Sequence, residues 1–108
     1  MRDGIPNPRE FEIMSLLIVE RTGLDLYRRY RASTGKLMSL GTMYSLLRRL
    51  REEDLVLATR RDSGARDKRV RHFKLTGEGE QAVNKGRQFY AALSRVGLDE
   101  QGALDGIG

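Results

Sequence analysis

Twice along this 108-residue chain the spacing of apolar side chains changes, once after Asp54 and again at Thr76. Before and after those points they recur every three or four positions, as on one face of a helix. In between, Leu55-Val56-Leu57-Ala58-Thr59 and Val70–Leu75 read as extended runs on either side of a polar tip at 62–69, with Phe73 and Leu75 on one face. The order is then helix, helix, helix, strand, hairpin, strand, helix. The expected class is mainly α with a small β-hairpin, and 108 residues is the size of one domain.

Local chemistry marks the helix ends. Asn7 caps a first helix over about 8–21, with Pro8 at its first position and Glu10 at its third. Phe11, Met14, Leu17 and Ile18 form its apolar stripe, Ile13 and Leu16 widen it, and Thr22-Gly23 ends it. A second helix, Leu24 to Arg31, turns Leu24, Tyr27 and Tyr30 inward before Ser33-Thr34-Gly35 breaks the chain. Ser39 caps a third that reaches about Glu53 and buries Met43, Leu46, Leu47 and Leu50. Thr76 caps a last helix with apolar positions at Ala82, Val83, Phe89, Tyr90, Leu93 and Val96, and Gly97 is its expected stop. Three further glycines make 98–108 read as a disordered tail.

Composition removes whole classes of chemistry. With no cysteine there is no disulfide, thiolate zinc site or cysteine nucleophile, and the single histidine, His72, leaves little metal or triad chemistry. No nucleophile, base and oxyanion site assemble, so neither catalytic residues, a metal nor a cofactor is expected, and the chain does not read as an enzyme. No run approaches the roughly 18 apolar residues of a membrane span. The N-terminus shows charge and then Pro6 and Pro8 where a secretion signal would be apolar, so the expected compartment is the cytoplasm.

What remains is charge. Lysine plus arginine less acids is 20 − 15 = +5. Residues 1–38 contribute 7 − 5 = +2, residues 39–76 contribute 10 − 5 = +5, and residues 77–108 contribute 3 − 5 = −2. The excess cation lies in the middle third, the footprint of a nucleic-acid binder, although charge alone fits a solvated arginine-rich face equally well. The third helix opens with small hydrogen-bonding residues, Ser39, Gly41, Thr42 and Ser45, which let its positive end approach a phosphate. Tyr44, Arg48 and Arg49 follow within two turns, Arg48 being suited to a guanine edge in the major groove. The hairpin adds Arg60, Arg61, Arg66, Lys68, Arg69, Arg71 and Lys74 against Asp62 and Asp67. Helices, glycine turn, capped helix and basic hairpin together describe a winged helix-turn-helix, here over 8–76, after a flexible lead at 1–7.

The run Ser39-Leu40-Gly41-Thr42-Met43-Tyr44-Ser45-Leu46-Leu47-Arg48-Arg49-Leu50 resembles the recognition helix of PadR-type transcriptional regulators. The likeness continues through Glu52-Glu53-Asp54-Leu55-Val56 and Phe73-Lys74-Leu75-Thr76, and upstream at Gly23-Leu24-Asp25-Leu26-Tyr27. Three positions depart from the family pattern: Leu40 stands for its proline, Asp54 for a glycine of positive φ, and Leu24 for an aromatic. The resemblance implies a homodimeric repressor bound to double-stranded DNA. It also implies a helix, here 77–97, that builds a two-fold interface. Phe11, Ala82, Gly86, Phe89, Tyr90, Leu93 and Val96 are the interface candidates, the alternative being that this helix folds back on its own domain. Relatives often respond to phenolic or planar hydrophobic effectors, for which Phe11, Phe89 and Tyr90 are the stacking residues available.

Smaller signals read more simply. Thr34-Gly35-Lys36 echoes a phosphate loop, but Tyr30 stands where the first glycine belongs. His72 reads as a half-buried or wing-surface residue, a pH switch being the lesser alternative. The rival from another class is a winged-helix protein-interaction module whose basic wing docks on an acidic partner. Thr42, Tyr44 and Arg48 argue against it, since docking needs no groove-reading helix end.

Overall fold

A computed structural model describes the backbone over residues 4–62 and 69–107 and the side chains over 4–59 and 71–97. Its elements are α1 (Pro8–Leu16), β1 (Arg21–Thr22), α2 (Gly23–Thr34), α3 (Leu40–Glu52), β2 (Val56–Asp62), β3 (Arg69–Leu75) and α4 (Gly77–Ile107). Ile13, Met14, Leu17, Leu26, Tyr30, Met43, Leu47, Leu50 and Phe73 form the centre of a core that joins the helices to one face of the sheet.

At α1 the cap is complete. The Asn7 side chain accepts from the Glu10 N–H at 2.8 Å, and the Glu10 carboxylate accepts from the Asn7 N–H at 3.3 Å. The helix then ends five residues earlier than its apolar pattern suggests. Leu17 is the C-cap, and the chain turns so that Arg21 and Thr22 pair with Phe73 and His72. This short strand covers the second edge of β3 and gives a three-stranded antiparallel sheet of order β1-β3-β2. Ile18, expected inside, is therefore 55% exposed beside exposed Val19.

Thr22 caps α2 by accepting from the Asp25 N–H at 3.0 Å, and the helix runs three residues beyond the expected Arg31. It stops at Gly35, whose φ of 69° is left-handed. That start turns Gly23, Leu26 and Tyr30 inward; Leu24, expected inside, is exposed and Tyr27 is half-buried. Arg21 braces the junction, its guanidinium donating to the Leu16 carbonyl at 2.7 Å and to Asp25 at 3.0 Å.

Helix α3 has the expected bounds, and its exit explains Asp54. The Asp54 N–H donates to the Arg51 carbonyl and the Leu55 N–H to the Leu50 carbonyl, the paired bonds of a Schellman stop. That geometry needs a left-handed residue, and Asp54 takes it with φ 61°. The hairpin runs in register from Val56 opposite Leu75 to Asp62 opposite Arg69. Thr76 then closes the fold, donating to the Asp54 carbonyl at 2.6 Å while accepting from the Gly79 N–H at 3.0 Å.

Helix α4 packs on α1 and β3 through its first half and then continues past Gly97 to Ile107. Glycine stops a helix by turning left-handed, and the described glycines that do so are Gly4 and Gly35, not Gly97. At the other end, residues 1–3 of the lead lie outside the described residues, and Pro6 of the lead is fixed to α4. Pro6 is buried and its carbonyl accepts from the Tyr90 hydroxyl at 2.6 Å.

Candidate nucleic-acid interface

The exposed surface of α3 starts at its cap. Ser39 Oγ accepts from the Thr42 N–H at 3.0 Å and donates to Thr42 Oγ1 at 2.8 Å. Helices α1, α2 and α4 each carry acids in the first turn, whereas α3 carries none, so its positive end stays uncompensated. In front of Gly41 the space is open, with only Ser39 Oγ 4.0 Å from where a Cβ would stand. Thr42, Ser45 and Arg49 continue outward along the helix, all exposed.

A second line on α3, Tyr44, Arg48 and Arg51, faces the sheet. With Leu47, Arg71 and Phe73 it encloses a cavity of about 230 Å³. Tyr44 is a partial exception to its expected role. It is 41% exposed, but its ring lies against Gly23 and 6.2 Å from Phe73, so half of it is a wedge between α2 and β3. Arg51 escaped the sequence reading. Its signal is the spacing Tyr44, Arg48, Arg51, which puts all three on one helical line.

On the hairpin, Arg71 is exposed at the cross-strand position opposite Arg60, and Arg61 pairs with Val70. The side chains of Arg60, Arg61 and Arg69 lie outside the described residues, as do Arg66 and Lys68 altogether.

The apolar set divides in two. Phe11, Ala82, Gly86 and Tyr90 pack within the chain: Gly86 leaves the room that the Phe11 ring occupies, and Phe11 lies 5.0 Å from Tyr90. Burial, then the nearby Glu10 carboxylate, raises the Tyr90 phenol above its ordinary range. Phe89, Leu93 and Val96 instead face solvent, 42%, 54% and 52% exposed. A smaller cavity of about 200 Å³ lies beside α1, lined by Ile18, Leu75, Glu80, Val83, Asn84 and Arg87.

The remaining motifs have structural uses. Gly35 ends α2, and Lys36 binds Glu12 at 2.8 Å, a contact that raises its pKa. His72 is half-buried, its Nδ1 3.5 Å from a Glu20 carboxylate oxygen. Among the described residues, no three metal-ligating side chains cluster and no helix is long and apolar enough to cross a membrane.

Residues 13–85 match the PadR-like family of transcriptional regulators. Among solved structures, a PadR-like transcriptional regulator from Bacillus cereus is similar with a TM-score of 0.78 at 20% identity, over 86% of this chain and 90% of that one. A transcriptional regulator from Streptococcus has a TM-score of 0.78 at 24% identity, over 86% and 91%. A PadR-like transcription factor from Bacteroides fragilis has a TM-score of 0.71 at 26% identity, over 82% and 84%. No curated protein matches the chain. At such identities the likeness is one of fold.

Proposed function

The chain belongs to the PadR-like family of transcriptional regulators, DNA-binding proteins by function, and on that premise we propose that it is a homodimeric repressor acting in the cytoplasm. The observation that carries the reading is the face formed by α3 and the hairpin. The one described helix without an acid in its first turn stands beside β3 with its exposed Arg71, and among the described residues nothing acidic lines the cavity between them. Ser39, Gly41, Thr42 and Ser45 bring the end of α3 to the sugar-phosphate backbone, while Arg49 reaches into the major groove. The hairpin, residues 60–71, lies along phosphates or the minor groove.

The exposed line Phe89, Leu93, Val96 supports a second copy of the chain as the partner of α4. Two-fold symmetry then requires an inverted repeat with half-sites about 34–36 Å apart, or a multiple of that. A small hydrophobic or phenolic effector relieves repression in this reading, and the cavity beside α1, where Ile18, Leu75 and Val83 stand with Glu80, Asn84 and Arg87, is the place proposed for it.

Selection of bound duplexes from a randomised library at near-physiological salt tests the proposal. An enriched inverted repeat is expected. Recovery of unenriched DNA overturns sequence-specific recognition and favours the reading in which the basic wing docks on an acidic protein.

A further inference from the structure

Arg48 and Arg51 stand one turn apart on α3, and Arg71 of β3 joins them around the 230 Å³ cavity backed by Tyr44, Leu47 and Phe73. Three arginines line one small space, where their like charges repel, and among the described residues no carboxylate lines it. Acids are near: Glu52 and Asp54 share the adjoining recess with Arg48 and Arg51. Even so, the ion pairs among the described residues engage Arg21, Arg29, Lys36 and His72, not these three arginines. The surrounding fold is firm rather than adaptable. Leu47 and Phe73 are each 1% exposed, and Gly23 and Phe73 hold the Tyr44 ring in place.

A chain gains no stability by gathering unpaired cations at a rigid recess, so the arrangement calls for an anion from outside. We infer that the cavity is the seat of a single backbone phosphate of the bound duplex, gripped from the helix side by Arg48 and Arg51 and from the hairpin side by Arg71. A phosphodiester presents two non-bridging oxygens and one negative charge, which forked guanidiniums match in geometry as well as in sign. Because the two grips come from different elements, one phosphate sets the position of α3 relative to the hairpin, and so how deeply α3 enters the groove. Arg51 is then a positioning residue. It reads no base, yet governs the register of the residues that do.

The inference rests on the DNA-binding reading, and one experiment separates the two. In the enriched operator each phosphate is replaced in turn by a neutral methylphosphonate, and affinities are measured for the wild type and for R51Q, R71Q and R49Q. One position per half-site is expected to cost the wild type on the order of tenfold. R51Q and R71Q should each lose most of that sensitivity, whereas R49Q, altered on the outward face, should keep it. R51K, which retains charge without the fork, should fall between R51Q and the wild type. Unchanged thermal unfolding of R51Q, whose guanidinium lacks an ion pair among the described residues, shows that the fold is intact. If R51Q and R71Q keep the wild-type pattern, or only one of them changes it, the two-sided seat is overturned while DNA recognition stands. If no operator is enriched, both fall.

Competition by inorganic phosphate against chloride at matched ionic strength distinguishes the source of the phosphate. Equal displacement is expected for a seat filled by the duplex. Selective displacement of the wild type but not R51Q, with no methylphosphonate-sensitive position, would assign the seat to a free anion and overturn the inference.

Discussion

Asp54 and Gly23 show what single residues contribute to the interface they never touch. Asp54 holds φ at 61° so that α3 can end in paired hydrogen bonds and hand the chain to β2. Glycine tolerates that conformation and a β-branched residue does not. Asp54→Gly should therefore stabilise the fold by roughly 0.5 kcal/mol, relief of the backbone being partly offset by a freer unfolded chain, and Asp54→Val should destabilise it by about 1–2 kcal/mol. Urea midpoints at constant m-value check both, and a stabilised Val variant would contradict the account. Gly23 is the complementary case. A Cβ there would stand 2.6 Å from the Tyr44 ring, so that the wedge behind the cavity must leave its place. Gly23→Ala is expected to cost about 1–3 kcal/mol, as overpacking does. In a Tyr44→Ala background the same change should cost far less, and a double-mutant cycle without coupling would show that Tyr44 is not the obstacle.

At the scale of elements, the junction between α1 and α2 rests on Arg21, which ties the Leu16 carbonyl to Asp25. The Arg21 hydrogen bond lowers the Asp25 pKa below its ordinary 3.8, burial opposes this, and Arg29 adds to the lowering. A carboxylate depressed in the folded state contributes stability above its unfolded pKa and loses it as pH falls through the folded value. Asp25→Asn should then be less stable than the wild type at neutral pH, with the gap closing as pH drops below 3.8. Thermal melts from pH 7 to pH 2 measure it, and a constant gap would mean that the ion pair contributes nothing. This junction also marks where sequence ceases to be readable. Caps at Asn7, Ser39 and Thr76 are legible because each acts on an N–H three residues away. The left-handed Asp54 is legible from the glycine it replaces. Strand β1 is not: its two residues acquire meaning only against Phe73 and His72, fifty residues on. The exposure of Ile18 is hidden from the sequence for the same reason, since it follows from the chain leaving α1 to make that pairing. At the interface, the outward line of α3 could be read from spacing alone. The convergence of Arg48, Arg51 and Arg71 depends on how α3 lies over β3, and the use of Gly86 depends on Phe11 of another helix.

The molecule as a whole is too long for its mass. Its radius of gyration is 17.0 Å, with extents of 65 × 27 × 20 Å. A compact chain of this length would have a radius near 13 Å. The difference is α4, whose 31 residues span about 46 Å and outrun the core. All of residues 91–97 are exposed, and Phe89, Leu93 and Val96 fall at spacings of four and three, the line along which a partner helix would lie. A charge at two of these positions should separate the subunits without unfolding either, because the core of Ile13, Leu26, Leu47 and Phe73 does not draw on them. The double variant Phe89→Glu, Leu93→Glu is expected to sediment as a monomer with native helicity. It should still bind an isolated half-site as the wild type does. Its affinity for the full inverted repeat should fall on the order of a hundredfold, since the second half-site no longer benefits from the high effective concentration set by the first. If the variant sediments as a dimer and binds the full repeat as before, α4 is not the interface, and its length must serve another partner.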